Sequence, residues 1–151
     1  MVQGKRQNLA GAEQMRALAN FRYALRRFLH FSEEAAVRVG LTPQQHQMML
    51  QIAGAPEGTA TAIEYLAERL SLRHNSVVEL AKRCEEAGLV ARRTNPDNRR
   101  HVVLTLTAAG KRMLEKLSTD HWCELNELAP QMLASFESMD GNLAQAGQGR
   151  N

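Results

Sequence analysis

The chain has 151 residues, 19 Lys and Arg against 16 Asp and Glu, and a formal charge of +3. That length suggests one domain, and so mild a basic bias selects no partner by itself. Cys84 and Cys123 match no metal or redox spacing, which excludes a disulfide framework, and no apolar run approaches the roughly 20 residues that cross a bilayer. The basic start MVQGKRQNLAG lacks the apolar run of a secretory signal, so a soluble cytoplasmic protein is expected.

The distribution of charge says more than its sum. Residues 1–60 carry +3, 61–107 carry +2 and 108–151 carry −2. Within 89–107, Arg92, Arg93, Arg99 and Arg100 face Asp97 alone. The positive field sits mid-chain.

The first element is a long helix over about 12–31. Met15, Leu18, Leu25 and Leu29 share a stripe, Phe21 and Phe28 lie beside it, and Arg22, Arg26 and Arg27 line the flank. A short continuation ends at Gly40. The next helix starts with Thr42 as N-cap, Pro43 at the first helical position and Gln45 completing a capping box. Met48, Met49 and Ile52 supply its apolar contacts, and GAPEG stops it. Thr61 and Glu64 repeat the capping signature before a short helix whose buried face is Ile63, Leu66, Ala67 and Leu70.

A tight link leads into RHNSVVELAKRCEEAG. Val77, Leu80, Ala81 and Cys84 point inward at helical spacing, and Gly88 closes the helix. Arg73, His74, Asn75, Ser76, Glu79 and Arg83 are left outward or at the leading end. Two short helices so joined read as a helix-turn-helix. LVARR is a strand, TNPDNRR a turn, and HVVLTLT the return strand. Val103, Thr105 and Thr107 take one face of that strand and Val102, Leu104 and Leu106 the other, which argues partial burial of both.

From residue 108 a long helix carries Leu114, Leu117, His121, Leu125, Leu128 and Met132 on one stripe. Pro130 is expected to kink or break it, with a separate short helix near 132–139 and a disordered Gly-rich end over 140–151.

The expected fold is mainly α with a small β-hairpin wing: a winged helix-turn-helix over 41–107 within one domain. Long helices at 12–40 and 108–140 flank it. The apolar stripe over 12–31 is more than a small lobe can cover, so these helices are expected to pair with a second copy.

A helix fits the major groove of DNA. Arg73 can pair with guanine and Asn75 with adenine, Glu79 can accept from cytosine, and His74 and Ser76 suit phosphate. Glu79 can also orient Arg83 four residues on. Arg99 and Arg100 lie where a hairpin can enter the minor groove, and Arg92 and Arg93 are expected along the backbone. The competing reading makes each arginine cluster a solvated surface.

Three stretches together resemble the MarR family of winged-helix transcriptional regulators: LTPQQHQMMLQIA, LAERLSLRHNSVVELAKRCEEAGLVARR and NPDNRRHVVLTLTAAGKRML. The likeness runs over about 12–140. It implies a homodimer with interlaced terminal helices, binding palindromic double-stranded DNA, mostly as a repressor that a small phenolic or aromatic carboxylate releases. It places Arg73, His74, Asn75 and Ser76 at the start of the recognition helix and matches Arg100 to the wing arginine. Two departures stand out. Arg73 stands where the family often has a Ser or Thr cap, which leaves capping to Ser71 or to the backbone. Asn98 stands where the family has an Asp two residues before the wing arginine, and Asp97 is the nearest acid.

An effector is expected between the first helix, the 42–52 helix and the last helix. Arg22 or Arg26 could hold a carboxylate, Trp122 could stack, and His46 is a further candidate; dimer packing or plain surface is the competing reading for each. The histidines are scattered, so no metal and no cofactor is expected. Cys84 reads as core and Cys123 lies between acidic residues, which disfavours redox sensing. A winged-helix module for protein–protein interaction and a redox-sensing regulator remain the alternatives. No nucleophile–base pair, phosphate loop or carboxylate dyad suggests an enzyme.

Overall fold

The computed structural model describes the backbone of residues 2–95 and 98–147 and the side chains of residues 11–94 and 101–137. Its elements are α1 (Val2–Arg38), α2 (Pro43–Ala53), α3 (Ile63–Leu70), α4 (His74–Glu86), β1 (Val90–Asn95), β2 (Asn98–Leu106) and α5 (Ala108–Gly147). The chain divides into two compact units, residues 1–32 with 121–151, and residues 33–120. Both long helices contribute to both units.

The 33–120 unit is the winged lobe. Its core is Met48, Met49 and Ile52 from α2, Ile63 and Leu66 from α3, Val77, Leu80, Ala81 and Cys84 from α4, and Leu104 from β2, all buried. The inward face expected for α4 is therefore found residue for residue. On α3, Ile63 and Leu66 are buried while Ala67 and Leu70 are half-buried.

The two capping signatures, Thr42 with Gln45 and Thr61 with Glu64, have different outcomes. At α2 the box forms: Gln45 N–H donates to Thr42 Oγ1 at 3.2 Å and Thr42 N–H donates to Gln45 Oε1 at 2.9 Å. At α3 it does not. Ala62 is the N-cap and no side chain caps the helix. Thr61 instead donates its hydroxyl to the Leu104 carbonyl and accepts the Leu104 N–H on its own carbonyl at 3.0 Å, while Ala62 bridges Val103. Residues 61–62 thus lie along β2 like a short third strand. Strand pairing outcompetes the cap because it satisfies two backbone groups as well as the hydroxyl.

The wing is an antiparallel hairpin with Val90 opposite Leu106, Arg92 opposite Leu104 and Thr94 opposite Val102. Both strands run further toward the tip than the turn formers suggest, so Arg99 and Arg100 lie on β2 and not in the loop. Asn95 pairs with Asn98, and the register shifts between Thr94 and Asn95. One step on β1 therefore spans Val102 to Asn98 on β2, and residues 99–101 form a bulge. A bulge bends a strand and increases its twist.

The hairpin joins α5 through Thr107. Its Oγ1 accepts from Gly110 N–H at 3.0 Å and lies 2.6 Å from the Gly88 carbonyl, to which it donates; Thr107 N–H donates to the Leu89 carbonyl at 3.1 Å. A Cβ on Gly110 would collide with the Leu89 carbonyl oxygen. The Leu-Thr-x-x-Gly run is thus a strand end, a helix cap and a close approach in sequence.

In the other unit α1 and α5 meet at His121 and at the Phe21–Phe136 pair, and the buried side chains are mostly small. Ala17, Ala24 and Ser32 are buried on α1, and Leu128 and Ser135 on α5. His121 Nε2 lies 2.8 Å from Ser32 Oγ, with the Phe28 and Phe31 rings edge-on to the imidazole. Phe21 packs edge-on to Phe136 at 4.9 Å between centroids. The stripe expected on α1 is mostly not in this interior: Met15, Leu18 and Leu29 are exposed.

Two expectations about α5 are corrected. The helix runs through Pro130 without a break, so no separate helix starts near 132, and it continues to Gly147 across part of the segment expected to be disordered. A proline removes one hydrogen bond of its helix, and the bonds on either side can carry the helix past it. Residues 148–151 lie outside the described residues.

Candidate nucleic-acid interface

The turn between α3 and α4 closes on Ser71, which adopts a left-handed backbone (φ 54) and donates its N–H to the Glu68 carbonyl at 3.1 Å. Leu72 N–H reaches back to the Ala67 carbonyl at 3.0 Å. Ser71 therefore finishes α3 and does not cap α4. The N-cap of α4 is Arg73, without a side-chain cap. The first helical hydrogen bond runs from Val77 N–H to the Arg73 carbonyl. The N–H groups of His74, Asn75 and Ser76 precede it and point out of the helix end, where the helix dipole favours an anion.

Arg73, His74, Asn75, Ser76, Glu79 and Arg83 are all exposed. Asn75 and Glu79 stand opposite the buried face of Val77, Leu80, Ala81 and Cys84, with Arg83 and Ser76 on the flank. Lys82 is exposed as well, at the centre of that outer face. Its position three residues after Glu79 and seven after Asn75 is the sequence signal that would have found it. His74 Nε2 lies 3.8 Å from Glu64 Oε1, a pairing that carries charge on both sides only when the imidazole is protonated.

On the wing, Arg92 Nε lies 3.5 Å from Glu85 Oε2 on α4, and Arg92, Arg93 and His101 are all exposed. Arg99, Arg100 and Asn98 have described backbone, in and beside the bulge, but their side chains, like Pro96 and Asp97, lie outside the described residues.

The expected effector residues are not drawn into one place. Arg22, Arg26 and Trp122 are exposed in the first unit, and His46 is buried in the winged lobe. None of them lines an open cavity of about 600 Å³ on this lobe. Leu50, Ile52, Leu104, Leu106 and Leu114 wall that cavity, and Lys111, Glu115 and Ser118 rim it from α5. Sequence periodicity missed it because its walls come from α2, β2 and α5, elements that only the fold brings together. Burial pushes the Cys84 thiol up from 9.0 to about 11, so it stays protonated and packs as core, while Cys123 is exposed.

Residues 39–101 match the model of the MarR family, a span that covers the turn, the reading helix and most of the wing just described. This part of the chain is similar to the MarR family. The chain also aligns with a curated relative, a proposed transcriptional regulatory protein for the hcr operon of Thauera aromatica. It is 30% identical over 90 residues, which is 60% of this chain and 52% of that protein. The chain thus spans about half the length of that relative. The fold is similar to that of a mutant of MepR from S. aureus bound to an oligodeoxyribonucleotide, at a TM-score of 0.61, 17% identity and coverage of 87% and 95% of the two chains. It is also similar to that of CouR from Rhodococcus jostii RHA1 bound to p-coumaroyl-CoA, at a TM-score of 0.58, 21% identity and coverage of 75% and 83%. No helix among the described residues is long and apolar enough to cross a membrane.

Proposed function

We propose that the chain is a dimeric, sequence-specific regulator of transcription that binds double-stranded DNA, and a repressor that a small aromatic ligand releases. The observation that carries DNA binding is the start of α4. There exposed Arg73 and Asn75 stand at a helix end whose N-cap side chain makes no capping bond, and the same helix exposes Lys82 and Arg83 toward its other end, on the same lobe as an arginine-bearing wing. In this reading the backbone N–H groups and His74 or Ser76 hold phosphate, and Arg73, Asn75 and Glu79 meet base edges. Arg99 and Arg100 enter the minor groove beside them.

The ligand belongs in the apolar cavity and not beside Arg22, Arg26 or Trp122. A volume near 600 Å³ suits a small organic molecule. Lys111 at its rim suits a carboxylate, and Leu104 and Leu106 are wing-strand residues. A ligand seated there touches the strand that carries the wing, so it can favour a wing position that does not fit DNA.

The test is selection of duplexes from a random-sequence pool by the full chain, followed by binding at several salt concentrations. A dimer making six to ten phosphate contacts loses about 10³–10⁵ in affinity between 50 and 200 mM salt. The selected duplexes should hold two inverted half-sites, and aromatic carboxylates should weaken binding in the unaltered chain more than in Lys111→Ala. A pool that yields no enriched sequence sinks the reading.

A further inference from the structure

Arg92 and Arg93 are neighbours in sequence, and the hairpin gives them different surroundings. Residues directly opposite in an antiparallel pair share a face of the sheet. Arg92 is opposite Leu104, and Val90 is opposite Leu106. Leu104 and Val90 are buried, so this face looks toward the helices. Arg92 emerges on it at the edge of the core, where Glu85 on the last turn of α4 meets its Nε at 3.5 Å. Arg93 is opposite Val103, on the other face, and is exposed.

The two edges of the hairpin are also held differently. β2 is tied to residues 61–62 by the Thr61–Leu104 hydrogen bonds and the Ala62–Val103 bridge. Among the described residues β1 has only β2 beside it in the sheet, and it follows α4 through the short turn at Gly88. The Arg92–Glu85 pair spans that turn from the helix to the strand.

We propose that Arg92 is a positioning residue for DNA binding: its pair with Glu85 braces the outer edge of the wing against the end of the reading helix. The two DNA-facing parts then keep a fixed separation, and Arg93 is the arginine left for phosphate. The proposal rests on the DNA-binding reading above. Glu85 separates it from the simpler idea that Arg92 itself grips phosphate. A carboxylate beside a phosphate-binding arginine competes for it and repels the backbone, so its removal would tighten binding. A carboxylate that anchors a brace weakens binding when removed.

The experiment uses the full chain and a duplex that it selects from a random pool. Arg92→Ala and Glu85→Ala should each weaken binding about two- to fivefold, the scale of a partly exposed ion pair. The salt slope should stay unchanged in both. The double variant should bind no worse than either single one, and the exchanged pair Arg92→Glu with Glu85→Arg should recover most of the affinity. Without DNA, amide hydrogen exchange over 91–94 should quicken in both single variants. Tighter binding by Glu85→Ala, a salt slope lowered by about 0.9 for each lost contact in Arg92→Ala, or unchanged exchange would each overturn the brace. If the unaltered chain binds no duplex, the DNA reading fails, and the exchange measurement still decides whether Arg92 holds the wing.

Discussion

Gly110 and Gly88 are both glycines near one junction, and the structure asks different things of them. Gly88 has φ 71 and open space around its missing Cβ. Its demand is conformational, and alanine there should cost about 1 kcal/mol. Gly110 sits on α5, and a Cβ there would run into the Leu89 carbonyl oxygen. That oxygen is backbone and already accepts the Thr107 N–H, so it cannot swing aside without breaking the joint between wing and helix. Gly110→Ala should therefore cost clearly more, about 3 kcal/mol or greater, by the overpacking mechanism. Urea unfolding of the two variants compares them directly, and equal losses would show that α5 shifts to make room. The sequence marks Gly88 as a helix end, but only the fold shows that Gly110 is a contact.

At the scale of elements, what could be read was whatever depends on neighbours in the chain. The inward face of α4 follows from a 3.6-residue period, and the box at Thr42 from residues three apart. The failure of the same box at Thr61 comes from Leu104, 43 residues away, which no local pattern reports. The same holds for the cavity between α2, β2 and α5, and for the different surroundings of Arg92 and Arg93. Pro130 is the opposite case: its local penalty was visible, and the helix bonds around it carry α5 on. The two boxes provide a test. Gln45→Ala should cost about 1 kcal/mol, since Gln45 satisfies a backbone donor at the start of α2. Glu64→Ala should change stability by no more than about 0.5 kcal/mol at high salt, because Glu64 is exposed and caps nothing. A large loss in Glu64→Ala would mean that α3 is capped in solution after all.

For the whole molecule, the deciding fact is what a single chain leaves in water. In the unit formed by residues 1–32 and 121–151, Met15, Leu18, Tyr23, Leu29, Trp122, Leu133 and Phe136 are all exposed, Met15 at 74% and Trp122 at 67%. The buried set there is mostly small, Ala17, Ala24, Ser32 and Ser135, with Leu128. Each large apolar side chain moved out of water contributes about 1.5–3 kcal/mol, so covering several of them is a strong drive toward association. In the proposed dimer a second copy covers them, because a two-fold axis lets one surface cover itself; a two-fold DNA-binding dimer reads half-sites about 34–36 Å apart. Leu18→Glu combined with Leu133→Glu puts charge into that surface on two helices. Sedimentation should then show a monomer, against a dimer for the unaltered chain. Helix content by circular dichroism should drop little, because neither side chain is in the chain's own interior. Affinity for a palindromic duplex should fall far more than affinity for a single half-site, since only the first depends on both lobes being joined. An unaltered chain that sediments as a monomer at micromolar concentration would leave these side chains without a partner and remove the basis for a two-fold operator.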